Sequence, residues 1–187
     1  MTSINIFARI TVIGALVFSF GCDVKSPTVK LYSFRNLEIK YPGDMKVSRE
    51  QEFPEKSFIS LFLSGKEDRK SGIELGISEF PNDFLATVPK EELAGEMGAM
   101  VEELEMKVFF IPGVTVVEKS DFQWTESPSG CEAFAFSKIE EENGEVSFVA
   151  FSVKVVGNYS VSSVSRSPDP STLERYLNIL ESIVVLK

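Results

Sequence analysis

The chain has 187 residues, 16 of them phenylalanine, and its 43% hydrophobic and 25% charged content is that of a globular protein, not a disordered one. The 19 Lys and Arg against 28 Asp and Glu give a net charge of −9, which repels phosphate backbones and anionic lipid headgroups. Nucleic-acid partners and adsorption to membranes by charge are therefore disfavoured. Histidine is absent, which excludes histidine-based catalytic triads and the usual zinc sites.

Arg9, the only charged residue before Cys22, is followed by an apolar run from Ile10 to Phe20. That run is shorter than the about 17–25 residues a helix needs to cross a bilayer, and it suits the core of a secretory signal instead. It stops at Gly21-Cys22, and Asp23-Val24-Lys25-Ser26-Pro27 then reads as a polar tether. The segment Ser19-Phe20-Gly21-Cys22 resembles a bacterial lipoprotein signal, in which the cysteine receives diacylglycerol on its sulfur and becomes the new N-terminus. Cys22 is thus the expected lipid-attachment site, with ordinary signal-peptidase cleavage or an uncleaved anchor as alternatives. The expected organisation is a signal peptide over 1–21, a tether over 22–30 and one domain over 31–187. Acyl chains contribute about 0.8 kcal/mol per buried methylene, so two or three of them hold even an acidic domain at a membrane.

In the mature chain, Leu37, Ile39 and Tyr41 alternate along a short strand that reaches a Pro-Gly-Asp turn and returns through Val47. "KSFISLFLS" and "SGIELGISEF" predict two more strands around a charged turn from Gly65 to Lys70. Pro89 opens a helix whose apolar stripe is Leu93, Met97, Met100, Val101 and Leu104, and Pro112-Gly113 ends it. The second half is richer in strands: "TVVEKSDFQW", "CEAFAFSKI", a turn containing Asn143-Gly144, then Val146 to Val156, apolar on both faces as a central strand would be. Gly157-Asn158 turns into "YSVSSVSR", and Pro168-Asp169-Pro170-Ser171 starts a last helix with Leu173, Tyr176, Leu177 and Leu180 on its buried face. The expected order is three or four strands, a helix, four strands and a helix.

Three segments, Tyr41-Pro42, Gly157-Asn158-Tyr159 and the closing Ile179-Leu180-Glu181-Ser182-Ile183-Val184-Val185, give the chain from Leu31 to Val185 a resemblance to the PsbP-like and DcrB-like proteins. Met45 stands where that family commonly has tryptophan. The resemblance implies an α+β fold, an antiparallel β-sheet flanked by helices in an α/β/α sandwich. It also implies extracytoplasmic lipoproteins, photosystem-associated subunits or nuclear transport factors, which mostly act as binding or assembly modules.

Candidate chemistry is sparse. Cys131 has Gly130 and Glu132 as neighbours, neither of which lowers a thiol pKa, and reads as a strand cysteine. Glu140, Glu141, Glu142, Asn143 and Glu145 lack the spacing of a calcium loop and read as an exposed acidic hairpin tip. Asn158-Tyr159-Ser160 has the form of a glycosylation acceptor only. No catalytic residues, cofactor or metal are expected. The functional expectation is a non-catalytic, membrane-anchored lipoprotein that binds an envelope protein partner, at the cell membrane or outer membrane, facing the periplasm or exterior. The alternatives are a carrier of a small apolar ligand, and a hydrolase using carboxylates or serine. The loops Glu126 to Gly130 and Gly65 to Gly72 are the expected contact regions.

Overall fold

The computed structural model describes residues 28–65, 71–81, 87–127 and 130–186; the expected leader with Cys22, and parts of the expected contact loops Gly65 to Gly72 and Glu126 to Gly130, lie outside them. Among the described residues there are two sheets. The larger has β3 (Met45–Phe53), β4 (Phe58–Gly65), β5 (Gly72–Glu79), β10 (Tyr159–Ser167), β9 (Val146–Val156), β8 (Gly130–Glu141) and β6 (Val114–Lys119) side by side, with β7 (Gln123–Ser127) also pairing with β8. The smaller consists of β1 (Val29–Phe34), β2 (Leu37–Pro42) and β11 (Val184–Val185). Every pairing is antiparallel.

Strand β9 explains the layering. Val149, Phe151, Val153 and Val155 point to one face and join Met97 and Val101 of α1 (Lys90–Phe109) in one core. Ala150 and Val156 point to the other and join Leu37, Ile39, Ile59, Leu75, Leu173 and Leu180 in a second. A strand between two other strands with both faces covered is largely apolar, as Val146 to Val156 is apart from Ser147, Ser152 and Lys154. The helices therefore lie on opposite faces, but the layering departs from a simple α/β/α sandwich. Helix α2 (Pro170–Glu181) shares its side with the small sheet, and the core beneath α1 draws on β6, β7, β8, β9 and one residue of β10.

Sequence and structure differ at identifiable points. β1 starts at Val29, two residues inside the expected tether, because Val29 and Lys30 pair with Pro42 and Tyr41. "TVVEKSDFQW" is two strands, since Ser120 leaves the ladder to bond Phe136 through its own N–H (2.8 Å) and its hydroxyl (2.9 Å). On α1, Met100 is 37% exposed while Glu105 is buried in its place one turn beyond Val101. Glu105 is tolerated there because Lys119 of β6 pairs with it at 2.6 Å.

Candidate functional site

Among the described residues, an open recess of about 440 Å³ lies between the end of α1, the start of β6 and the β8–β9 turn, lined by Ile111, Pro112, Val114, Glu141, Glu142 and Arg166 among others. Three local features shape it. Helix α1 stops where Phe110 caps it, and Gly113 takes φ +81 to reverse the chain into β6. The Asn143-Gly144 turn closes the β8–β9 hairpin, with Asn143 Oδ1 accepting the Glu145 N–H at 3.0 Å. Arg166, near the end of β10, reaches across the sheet to pair with Glu141 and donates to Ser147 Oγ at 3.3 Å.

Arg166 Nε is buried without a hydrogen-bond partner, and burial lowers the guanidinium pKa from its ordinary value. An arginine remains charged under such a shift, so the recess presents one cation edged by carboxylates. Arg166 lies in "YSVSSVSR", read in the sequence only as a strand; a single arginine in a serine-rich run carries no motif that marks it.

The Gly157-Asn158-Tyr159 turn lies at the opposite end of the strands and is structural. The fully buried Tyr159 places its hydroxyl between Asn36 Oδ1 and Glu79 Oε1, the latter at 3.1 Å. Asn158 Nδ2 donates to the same Glu79 oxygen at 3.2 Å, and Arg35 pairs with the carboxylate. One tyrosine thus ties the β1–β2 turn, the end of β5 and the β9–β10 turn together, and the Asn158 amide is already engaged.

Cys131 is half-buried and free. Burial, with Glu126 nearby, pushes its thiol pKa up, and Lys90 offsets this only in part, so the thiolate is disfavoured. Glu126, at the start of one expected contact loop, pairs with Lys90 at 2.7 Å. In the acidic tip, Glu141 is committed to Arg166, and no group of three or more metal-ligating side chains occurs among the described residues. Lys154 is buried on the α2 side and donates to the Leu180 carbonyl at 2.8 Å, near the helix C-terminus where carbonyls lack intrahelical partners.

No protein-family model matches the sequence, and no curated protein matches it. Among solved structures, the solution structure of cyanobacterial PsbP (CyanoP) from Synechocystis sp. PCC 6803 is similar over 89% of this chain and 98% of that one, at 13% identity and a TM-score of 0.60. A crystal structure from Bacteroides thetaiotaomicron is similar over 81% of this chain and 46% of that one, at 11% identity and a TM-score of 0.46. The arrangement of strands and helices in this chain is therefore that of the PsbP-like fold.

Proposed function

We propose that this protein is a lipid-anchored, extracytoplasmic binding or assembly module without catalytic activity, held at a membrane through Cys22 and contacting an envelope protein. The observation that carries this reading is the junction between leader and fold. An apolar run ends at Gly21-Cys22, and a PsbP-like domain begins at Val29, with six residues between cysteine and first strand. The disfavoured thiolate of Cys131 supports a non-catalytic role. A carrier for an apolar ligand lodged between sheet and helix is less well supported, because Met97, Val101 and Phe151 pack that interlayer closed.

The test compares wild type with Cys22→Ser in native membranes, using fractionation, mass spectrometry of the N-terminal peptide and cross-linked co-purification. The expected result is an acylated Cys22 peptide, membrane recovery of wild type only, and a near-stoichiometric protein captured with the anchored form. Equal membrane recovery of the two forms overturns the anchor, and an anchored protein that captures no partner overturns the assembly role.

A further inference from the structure

The end of the strands at which the tether enters also carries the exposed apolar residues around the recess. Thr28 O accepts the Gly43 N–H at 2.6 Å, which fixes the tether's exit beside the β2–β3 turn. Strand register carries that end across the large sheet. Met45 pairs with Gly65, Ser64 with Gly72, Gly72 with Arg166, and Ser167 with Phe148. The β8–β9 hairpin projects further in the same direction, since Glu140 pairs with Val146 and Val114 with Glu141. Phe110 and Ile111 enter β6 there, with Ile111 O accepting the Val114 N–H at 3.1 Å.

Phe110 is 73% exposed, Met106 49%, Ile111 45% and Val146 37%, while Val29 flanks the tether at 62%. Met106 and Phe110 stand one helical turn apart and Ile111 follows directly, and exposed apolar residues grouped in this way mark a contact surface. Six residues span at most about 20 Å, so an acyl group on Cys22 holds Val29 and the β2–β3 turn within about that distance of the bilayer, on the side of the sheet where these strand ends lie. Contact with the bilayer is then effectively intramolecular, and a few side chains suffice.

Resting on the anchored reading, we propose that Phe110, Ile111, Met106 and Val146 seat this end of the domain in the headgroup layer of a zwitterionic phospholipid bilayer. The charge pattern selects that layer. The chain is acidic, and exposed Glu140, Glu142 and Glu145 at the hairpin tip repel anionic lipid. The recess behind Ile111 sets a guanidinium beside carboxylates, the complement of a headgroup that carries phosphate and ammonium together.

The test places a tryptophan at the contact. Full-length protein is expressed with Trp124→Phe and Phe110→Trp, recovered from membranes and reconstituted in vesicles of brominated phosphatidylcholine, and Val146→Trp serves as a second probe. Intact mass reads the acyl group on Cys22 independently of fluorescence. Bromine should remove about half or more of the emission from position 110, as expected for side chains lying roughly 5–10 Å into the interface, and leave a Lys56→Trp control unchanged. Replacing half the lipid by equally brominated phosphatidylglycerol should weaken the quenching, and stronger quenching overturns the zwitterionic assignment. An acylated protein whose probes at 110 and 146 stay unquenched overturns the seating and leaves the anchor standing. A blue-shifted, unquenched probe covered by a co-purifying protein overturns it in favour of a protein interface, and an unacylated Cys22 removes the anchor on which the seating rests.

Discussion

At the scale of single residues, the least expected features are charges inside the fold. Lys154 is buried and burial lowers its pKa, while Glu132, directly opposite on β8, has its pKa raised, chiefly by burial. Each shift has a pH signature with opposite sign. The folded state holds the Glu132 proton more tightly than the unfolded state does. Stability from that group is therefore full below 4.5, its ordinary value, and is lost as pH rises through the raised value. The unfolded state holds the Lys154 proton more tightly, so stability rises as pH climbs from the lowered value toward 10.5. Denaturation midpoints measured across pH should show both limbs; Glu132→Gln should flatten the acid one and Lys154→Met the alkaline one. An unchanged alkaline limb in Lys154→Met would show that the lysine is not titrating from a buried site. Composition announced none of this, because a lysine amid valines in "SVKVV" looks like any strand residue that faces water. Only the arrival of α2 over β9, with its Leu180 carbonyl at the ammonium, makes the position interior.

At the scale of elements, the long and strongly patterned ones were legible. The stretch from Val146 to Val156, the α1 stripe and the Pro-Asp-Pro-Ser start of α2 were all readable, and Asp169 indeed caps α2 by accepting the Ser171 N–H at 3.0 Å. Elements whose existence depends on a distant partner were not. β11 is two residues long and is a strand only because Glu38 and Leu37 lie alongside. Glu105 interrupts the α1 stripe, and its acceptability rests on a lysine fourteen positions away. Arg166 and Glu141 meet only once β8, β9 and β10 are paired. The start of β8 offers a direct test of strand spacing. Gly130 adopts φ +141, and a Cβ there would lie 1.9 Å from the Val155 carbonyl oxygen. Gly130→Ala should force β8 away from β9 and cost about 1–3 kcal/mol, read as a lowered denaturation midpoint. An unchanged midpoint would mean that this end of β8 is not held against β9.

At the scale of the whole molecule, one strand serves two cores, so the two faces cannot melt separately. Phe151 is fully buried on the α1 side, where Phe109 meets it edge-on with ring centres 5.7 Å apart. Phe151→Ala should cost about 3–5 kcal/mol and lower a single transition seen equally by far-UV and near-UV circular dichroism. Two separated transitions would mean that the α2 face, with the small sheet, survives alone. That small sheet also orders events in time. Its middle strand, β2, is bordered on one side by β1, its immediate neighbour in sequence, and on the other by residues 184 and 185, which follow every other described strand. Loop-closure entropy makes such a pairing late even in a free chain. In a chain that emerges from its N-terminus, the small sheet stays open until residues 184 and 185 arrive, so its closure reports that every other described strand has already been made.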